Sequence, residues 1–269
     1  MRSRPTARQR RVPVSLKGFD QLRKHIPELN TPLGPVRLFA VPVLLYFLAT
    51  SLFSATDHLP PFWLVASVVS VEVLGFTWLY LFFRVKTDFK ARYGPLAYSR
   101  AVSLFAYPAG GMIVSVVARI ANIPGLAIAP FAFYPALSIL GWLLIVAGLW
   151  LFARTLQTFG VDNLTLLYVY FPDESQLVDR KIYEVLRHPA YAAAQLVVLG
   201  LSLRNGNWLA LISALCFMFG LWGWVRLVEE QELLERFGSS YAEYRRRVPA
   251  FWPRPRDLGK LFRFLLVGS

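Results

Sequence analysis

One cysteine and three histidines are all that this 269-residue chain offers to thiol or soft-metal chemistry. Cys216 lies inside an apolar run, so no intrachain disulfide can form and packing is its default role. His25, His58 and His188 are far apart, and no Cys/His cluster has zinc-like spacing, so no metal is expected. Charge is scarce too: 17% of residues are charged, against about 25% in average soluble domains. Acids are the scarcer sign, 16 against 29 basic residues, leaving a net charge of +13. Such a surplus can mark a nucleic-acid binder. In a chain this apolar, membrane topology and anionic lipid headgroups explain it better, so no nucleic-acid partner is expected. There is no P-loop, no G-x-G-x-x-G element and no evident Ser–His–Asp arrangement.

What the chain has is apolar length. Hydrophobic residues make up 56% of it and the mean hydropathy is +0.45. Apolar segments fall at about 36–54, 61–83, 101–121, 131–153, 189–203 and 207–227. Several reach the roughly 20 residues that cross a hydrocarbon core of about 30 Å. The expected fold is all-α, a polytopic membrane bundle of about six transmembrane helices ending in a helical hairpin.

The connections give an expected orientation. Nine Lys and Arg occur through Arg37, and the 84–100 stretch adds Arg84, Lys86, Lys90, Arg92 and Arg100. The "SATDHLPP" and "NIPGLAIAP" loops have none. Lys and Arg accumulate on the cytoplasmic side, so both termini are expected there.

The chain divides into four regions: a basic cytoplasmic or interfacial arm (1–35), with a short helix expected near "GFDQLRKHI"; a four-helix transmembrane region (36–153); a polar region with the hairpin (154–253); and a basic interfacial tail (254–269). The fifth segment is too short to span upright from Pro189. It is expected to begin near Lys181, with Pro189 either kinking it or occupying its first turn. Gly238 is the expected stop of the sixth helix.

The polar residues outside the arm gather in 154–188 and 226–247. At helical spacing His188, Tyr191 and Gln195 share one face, as do Arg226, Glu229 and Glu230, and the hairpin returns both faces to one end. Taken singly these residues read blandly. An Arg–Glu pair at i, i+4 is usually a solvated bridge of about 0.3–0.5 kcal/mol, and an interfacial tyrosine is usually an anchor. Glu72, inside the second segment, is a candidate for an interhelix polar contact or a lipid-cavity residue.

The order "SQLVDRKIYEVLRHPAY", a hairpin, then "RLVEEQELLERFGSSYAEYRRRVPAFWP" is more specific. Over about 150–253 it resembles the isoprenylcysteine carboxyl methyltransferase family, within a wider group that includes phospholipid N-methyltransferases. The resemblance implies an S-adenosylmethionine site at the cytoplasmic face, open to the bilayer for a lipophilic substrate. Matched by position, Gln176, Leu177, Val178, Tyr183, His188, Pro189, Ala190, Tyr191 and Glu230 fall on cofactor contacts. Arg226 falls on a residue implicated in substrate binding. A carboxylate such as Glu230 suits the cofactor's cationic groups. An acceptor carboxylate is already ionised near neutral pH and needs an orienting arginine rather than a base.

The chain departs from the family at Lys181 and Ala193, where glycine is usual. "GVDNLTLLYVYFPDE" follows no family pattern. The implied function is methyl transfer to a prenylcysteine-like carboxylate. Alternatives are N-methylation of a phospholipid amine, NADPH-dependent sterol or steroid reduction, and non-enzymatic lipid binding. The expected location is a multi-pass protein of the plasma, inner or endoplasmic reticulum membrane, with its site facing the cytoplasm.

Overall fold

A computed structural model describes residues 17–267. Nine helices organise them: α1 (Phe19–His25), α2 (Gly34–Thr56), α3 (Pro61–Arg84), α4 (Lys86–Asn122), α5 (Tyr134–Phe159), α6 (Pro189–Asn205), α7 (Trp208–Phe237), α8 (Ser239–Arg247) and α9 (Leu258–Val267). Shorter helical turns connect them, and the described residues include no strand. The reading of 1–16 as a basic arm lies outside the described residues.

Helices α2, α3, α4, α5 and α7 are each long and apolar enough to cross a membrane. Their outward faces carry large apolar side chains, such as Phe47 and Leu48 on α2 and Leu143, Val146 and Leu149 on α5. Water would not tolerate that much contiguous apolar surface, whereas lipid does. The protein is an integral membrane protein with an all-α bundle.

Helix α6 is the exception in length. Its 17 residues rise about 25 Å at 1.5 Å per residue, a little short of a full hydrocarbon core. It lies along α5 through small residues that let the two backbones meet. A Cβ on Gly141 would fall 2.6 Å from the Gly200 carbonyl oxygen, and one on Gly148 would fall 2.7 Å from that of Ala193. Such close approach is how membrane helices associate without a hydrophobic drive. It also keeps the Ala193 position small.

Two local expectations change. The 84–100 stretch is not a loop: it is helical, with Gly94 at φ +51 as its break. Helix α6 does not start near Lys181 and is not kinked. Residues Lys181–Glu184 form a separate 3-10 turn, and Pro189 is the first helical residue, where a missing N–H leaves no bond unmade. The turn holds Lys181 at φ +59, a conformation that favours glycine, which accounts for the glycine expected at this position.

At the far end of the bundle, the "LRNGN" turn is sewn to the 123–128 loop. Asn207 Nδ2 donates to the Ile123 carbonyl at 2.6 Å, and its Oδ1 caps α7 by accepting from Ala210 N at 2.8 Å. Asn205 Nδ2 donates to the Ile120 and Ile123 carbonyls, and Gly206 O accepts from Ile128 N at 2.8 Å. Arg119 pairs with Asp57 nearby and lies over the Phe53 ring. Glu72 is buried against α7. A Cβ on Gly220 would fall 2.0 Å from its Oε1, so a glycine there makes room for the carboxylate.

At the other end, α1 folds over the 160–175 segment. Val161 N donates to the Lys17 carbonyl at 2.9 Å, Ser99 Oγ donates to Glu28 at 2.8 Å, and His25 meets Glu174 at 3.1 Å with its ring on Phe171.

Candidate functional site

The two signatures read from the sequence are physically joined. Residues 187 and 188 pair their backbone N–H groups with the carbonyls of Pro249 and Ala250, at 2.9 and 3.0 Å. Tyr244 Oη donates to the Tyr183 carbonyl at 2.7 Å. Arg187 reaches across with both terminal nitrogens. Nη1 donates to the carbonyls of Arg245 and Val248, each at 2.6 Å, and Nη2 donates to Glu230 Oε1 at 2.5 Å. The tail "YAEYRRRVPAF" is thus the clasp that holds "YEVLRHPAY" in shape.

Beside this joint, where α6 begins and α7 leaves the bundle, lies a cavity of about 390 Å³. That is within the usual range of small-molecule sites, about 300–1,000 Å³. Eight of the nine residues expected at the cofactor line it: Gln176, Leu177, Val178, Tyr183, His188, Pro189, Ala190 and Tyr191. The ninth, Glu230, stands behind the wall. It is wholly buried, bonded to Arg187 and at ion-pair distance from Arg245 Nε (3.2 Å) and His188 Nε2 (3.5 Å). With three cationic or potentially cationic partners its charge is already matched.

The carboxylate that faces the cavity is Glu229. Its Oε2 accepts from Tyr191 Oη at 2.5 Å, and its Oε1 lies 3.4 Å from His188 Nδ1. Burial alone would lower the His188 pKa, but the Glu229 and Glu230 carboxylates beside it outweigh that and hold it above its ordinary value. Burial pushes the Tyr183 and Tyr241 phenols up, so both remain protonated donors.

Arg226, expected at the substrate, is not brought to this cavity. It is exposed, with its guanidinium over the Trp222 ring at 5.7 Å. The cause is a π turn, Val225–Glu229, inside α7. An extra residue in a turn rotates the remainder of the helix by about 100° relative to an unbroken α-helix, so simple i, i+4 counting fails here. Beyond the turn the cavity face runs through Glu229, Glu232, Leu233, Arg236 and Phe237.

Residues not singled out from the sequence complete the walls. Phe76, Leu79 and Phe83 of α3 and Phe217, Leu221 and Trp224 of α7 make an apolar side. Asn163, Leu164, Leu166, Tyr168 and Val169 come from the segment with no family pattern. The spacing 229, 232, 233, 236 would have found the Arg236 face, had the register after Glu229 been readable. The 163–169 residues carried no signal of their own.

Several buried polar atoms in these walls have no hydrogen-bond partner: Arg187 Nε, His188 Nε2, Trp224 Nε1, Arg236 Nε and Tyr241 Oη. Buried groups of this kind are rare unless something else completes them. Among the described residues no group of three or more His, Cys, Asp or Glu is placed to hold a metal ion.

Residues 136–240 match the family model of phospholipid methyltransferases. The chain is 36% identical over 80 residues to the protein-S-isoprenylcysteine O-methyltransferase of Schizosaccharomyces pombe, covering 29% of this chain and 33% of that protein. It is 28% identical over 151 residues to protein-S-isoprenylcysteine O-methyltransferase B of Arabidopsis thaliana, covering 53% of this chain and 71% of the relative. A cobalt-zinc-cadmium resistance protein of Cupriavidus metallidurans, CzcN, is 33% identical over 106 residues, covering 37% and 49%. The chain thus spans about a third of the S. pombe relative's length and about half of CzcN's. No solved structure matches.

Proposed function

We propose, from the premise that this chain carries the phospholipid methyltransferase family region over residues 136–240, that it is an S-adenosylmethionine-dependent membrane methyltransferase acting on a lipophilic acceptor. The observation that carries this reading is the cavity itself. One wall is the clasped pair of family signatures with Glu229 facing inward, and the other is apolar and built from membrane-spanning helices.

The residues present fit such a cofactor. Glu229 suits a cationic amine or sulfonium. Tyr183, Tyr241 and the backbone of Gln176–Val178 offer donors and acceptors for a nucleoside, and His188 and Tyr191 form a stacked ring pair 5.9 Å apart. The cofactor, when bound, supplies an electrophilic methyl group on a sulfonium. The chain's own task is then orientation and exclusion of water, which can supply a large part of the rate of an in-line displacement. A carboxylate acceptor arrives ionised and uses a lone pair on oxygen to form the new C–O bond, so no general base is required. That suits a cavity whose His188 is held toward its protonated form. We favour O-methylation of a prenylcysteine-like carboxylate.

The cavity lies at the end of the bundle that bears Lys86, Lys90 and Arg92 and the basic tail. By the distribution of Lys and Arg, that end and both termini face the cytoplasm of a plasma, inner or endoplasmic reticulum membrane. The basic termini then meet anionic headgroups.

The test uses the purified full chain in detergent. Calorimetry should detect binding of S-adenosylhomocysteine and not of NADPH; the reverse result would overturn the assignment in favour of a reductase. Transfer of labelled methyl to a panel of prenylcysteine analogues and phospholipids should then single out the carboxylates. Transfer to an amine lipid alone would move the reaction to N-methylation.

A further inference from the structure

The cavity has two differently charged ends on one face of α7. Glu229 marks the first. Arg236, seven residues on and so about 10 Å along the helix, marks the second. Arg236 lines the cavity with a side chain only 12% exposed, stands over the Phe237 ring at 5.1 Å, and pairs with Glu232 through Nη2. Its Nε is buried and donates to nothing. A guanidinium offers five N–H donors in a rigid fork shaped for oxyanions, and one carboxylate at i−4 does not exhaust it. Lys86 and Glu229 are both near enough to act on the charge of Glu232.

The surroundings fit an amphiphile. Phe76, Leu79 and Phe83 line the cavity along α3, and that helix ends at Arg84, just before Lys86. An apolar tail lying along that wall would bring a headgroup to the level of Arg236. Arg187 also lines the cavity, but both its terminal nitrogens are committed to Glu230 and two backbone carbonyls, and Arg226 turns to the outer surface.

We infer that Arg236 is the residue that receives the anionic headgroup, carboxylate or phosphate, of the lipophilic acceptor, with Glu232 as the internal counter-ion that the headgroup displaces. This rests on the methyltransferase reading and names the acceptor side of that site. The anion has two possible sources, because the cofactor also carries a carboxylate; the assignment here is to the acceptor.

The probes are N-acetyl-S-farnesylcysteine and its carboxamide, whose equilibrium binding to the full-length protein is compared in Arg236→Gln and Glu232→Gln. The wild type should prefer the acid. Arg236→Gln should weaken acid binding by about tenfold or more, the size expected for losing a hydrogen bond to a charged group, and leave the amide unchanged. Glu232→Gln should tighten the acid several-fold by removing its competitor. S-adenosylhomocysteine affinity should stay within about twofold in both variants.

A folded Arg236→Gln protein with unchanged acid affinity would overturn the inference. So would a fall in S-adenosylhomocysteine affinity without a change for the acid, which would give the anion to the cofactor. Should Arg236→Gln fail to fold, Glu232→Gln decides, and no tightening there overturns it. Wild-type protein that binds S-adenosylhomocysteine but neither probe would sink the acceptor assignment while leaving the methyltransferase reading intact.

Discussion

The two ends of the α6–α7 hairpin are built from similar means and finished differently. At the closed end, Asn205 and Asn207 spend their side-chain donors on backbone carbonyls, and Asn207 also caps α7. At the open end, Arg187, His188, Trp224, Arg236 and Tyr241 each keep a buried polar atom without a partner around one cavity. The first arrangement spends the asparagine donors on the fold, although Arg119 and Arg204 each keep a buried Nε unpaired at that end too. The second gathers its unpaired groups around one cavity, where a ligand can reach them and gain most.

Breaking the clasp should have the largest effect. Arg187→Ala removes three bonds and exposes the buried Glu230 charge to an incomplete set of partners, at a cost of about 3–5 kcal/mol. Thermal unfolding in detergent should show it, with loss of S-adenosylhomocysteine binding; an unchanged midpoint would mean the clasp does not hold the site. Next, Glu229→Gln should weaken S-adenosylhomocysteine by about 1.5–3 kcal/mol, the value of a hydrogen bond to a charged group, and lower the midpoint less than Arg187→Ala does. Equal affinity in calorimetry would remove Glu229 from the site.

The pH dependence follows from His188, whose folded pKa is raised. Its stabilising contribution is complete below the ordinary value of about 6.5 and is lost as pH rises through the higher folded value. The midpoint should therefore fall over that window in the wild type and not in His188→Asn. A closed-end change should do less. Asn207→Ala forfeits a helix cap worth about 1 kcal/mol and should leave S-adenosylhomocysteine affinity alone. Smallest is Lys181→Gly, which relieves a left-handed residue and should raise stability by less than about 1 kcal/mol, read as a slightly higher midpoint. A lowered midpoint would show that the lysine side chain contributes more than its backbone loses.

Long-period features were legible in the sequence. Apolar runs placed the five helices long enough to cross a membrane and the shorter α6, the 19–25 helix and the stop at Gly238 came from local chemistry, and the two signatures named eight of the residues that line the cavity. What failed were single-residue shifts. The π turn at Val225–Glu229 adds no residue type that announces it, yet it decides that Glu229 faces the cavity while Arg226 and Glu230 do not. The start of α6 was ambiguous because proline suits a kink and a first turn equally. The 163–169 wall was invisible for a different reason. Its shape follows from the bond of Val161 N to the Lys17 carbonyl just ahead of it and from a left-handed Leu166 at φ +59 within it, and neither leaves a periodic pattern.

The pairing of residues 187 and 188 with Pro249 and Ala250 also sets an order of assembly. During synthesis both helices of the hairpin are made before residue 250, so the clasp cannot close until the last span is complete. A nascent chain halted at residue 240 would hold every span and no clasp. The cavity is therefore shaped by a tail of a dozen residues that returns from beyond the last span.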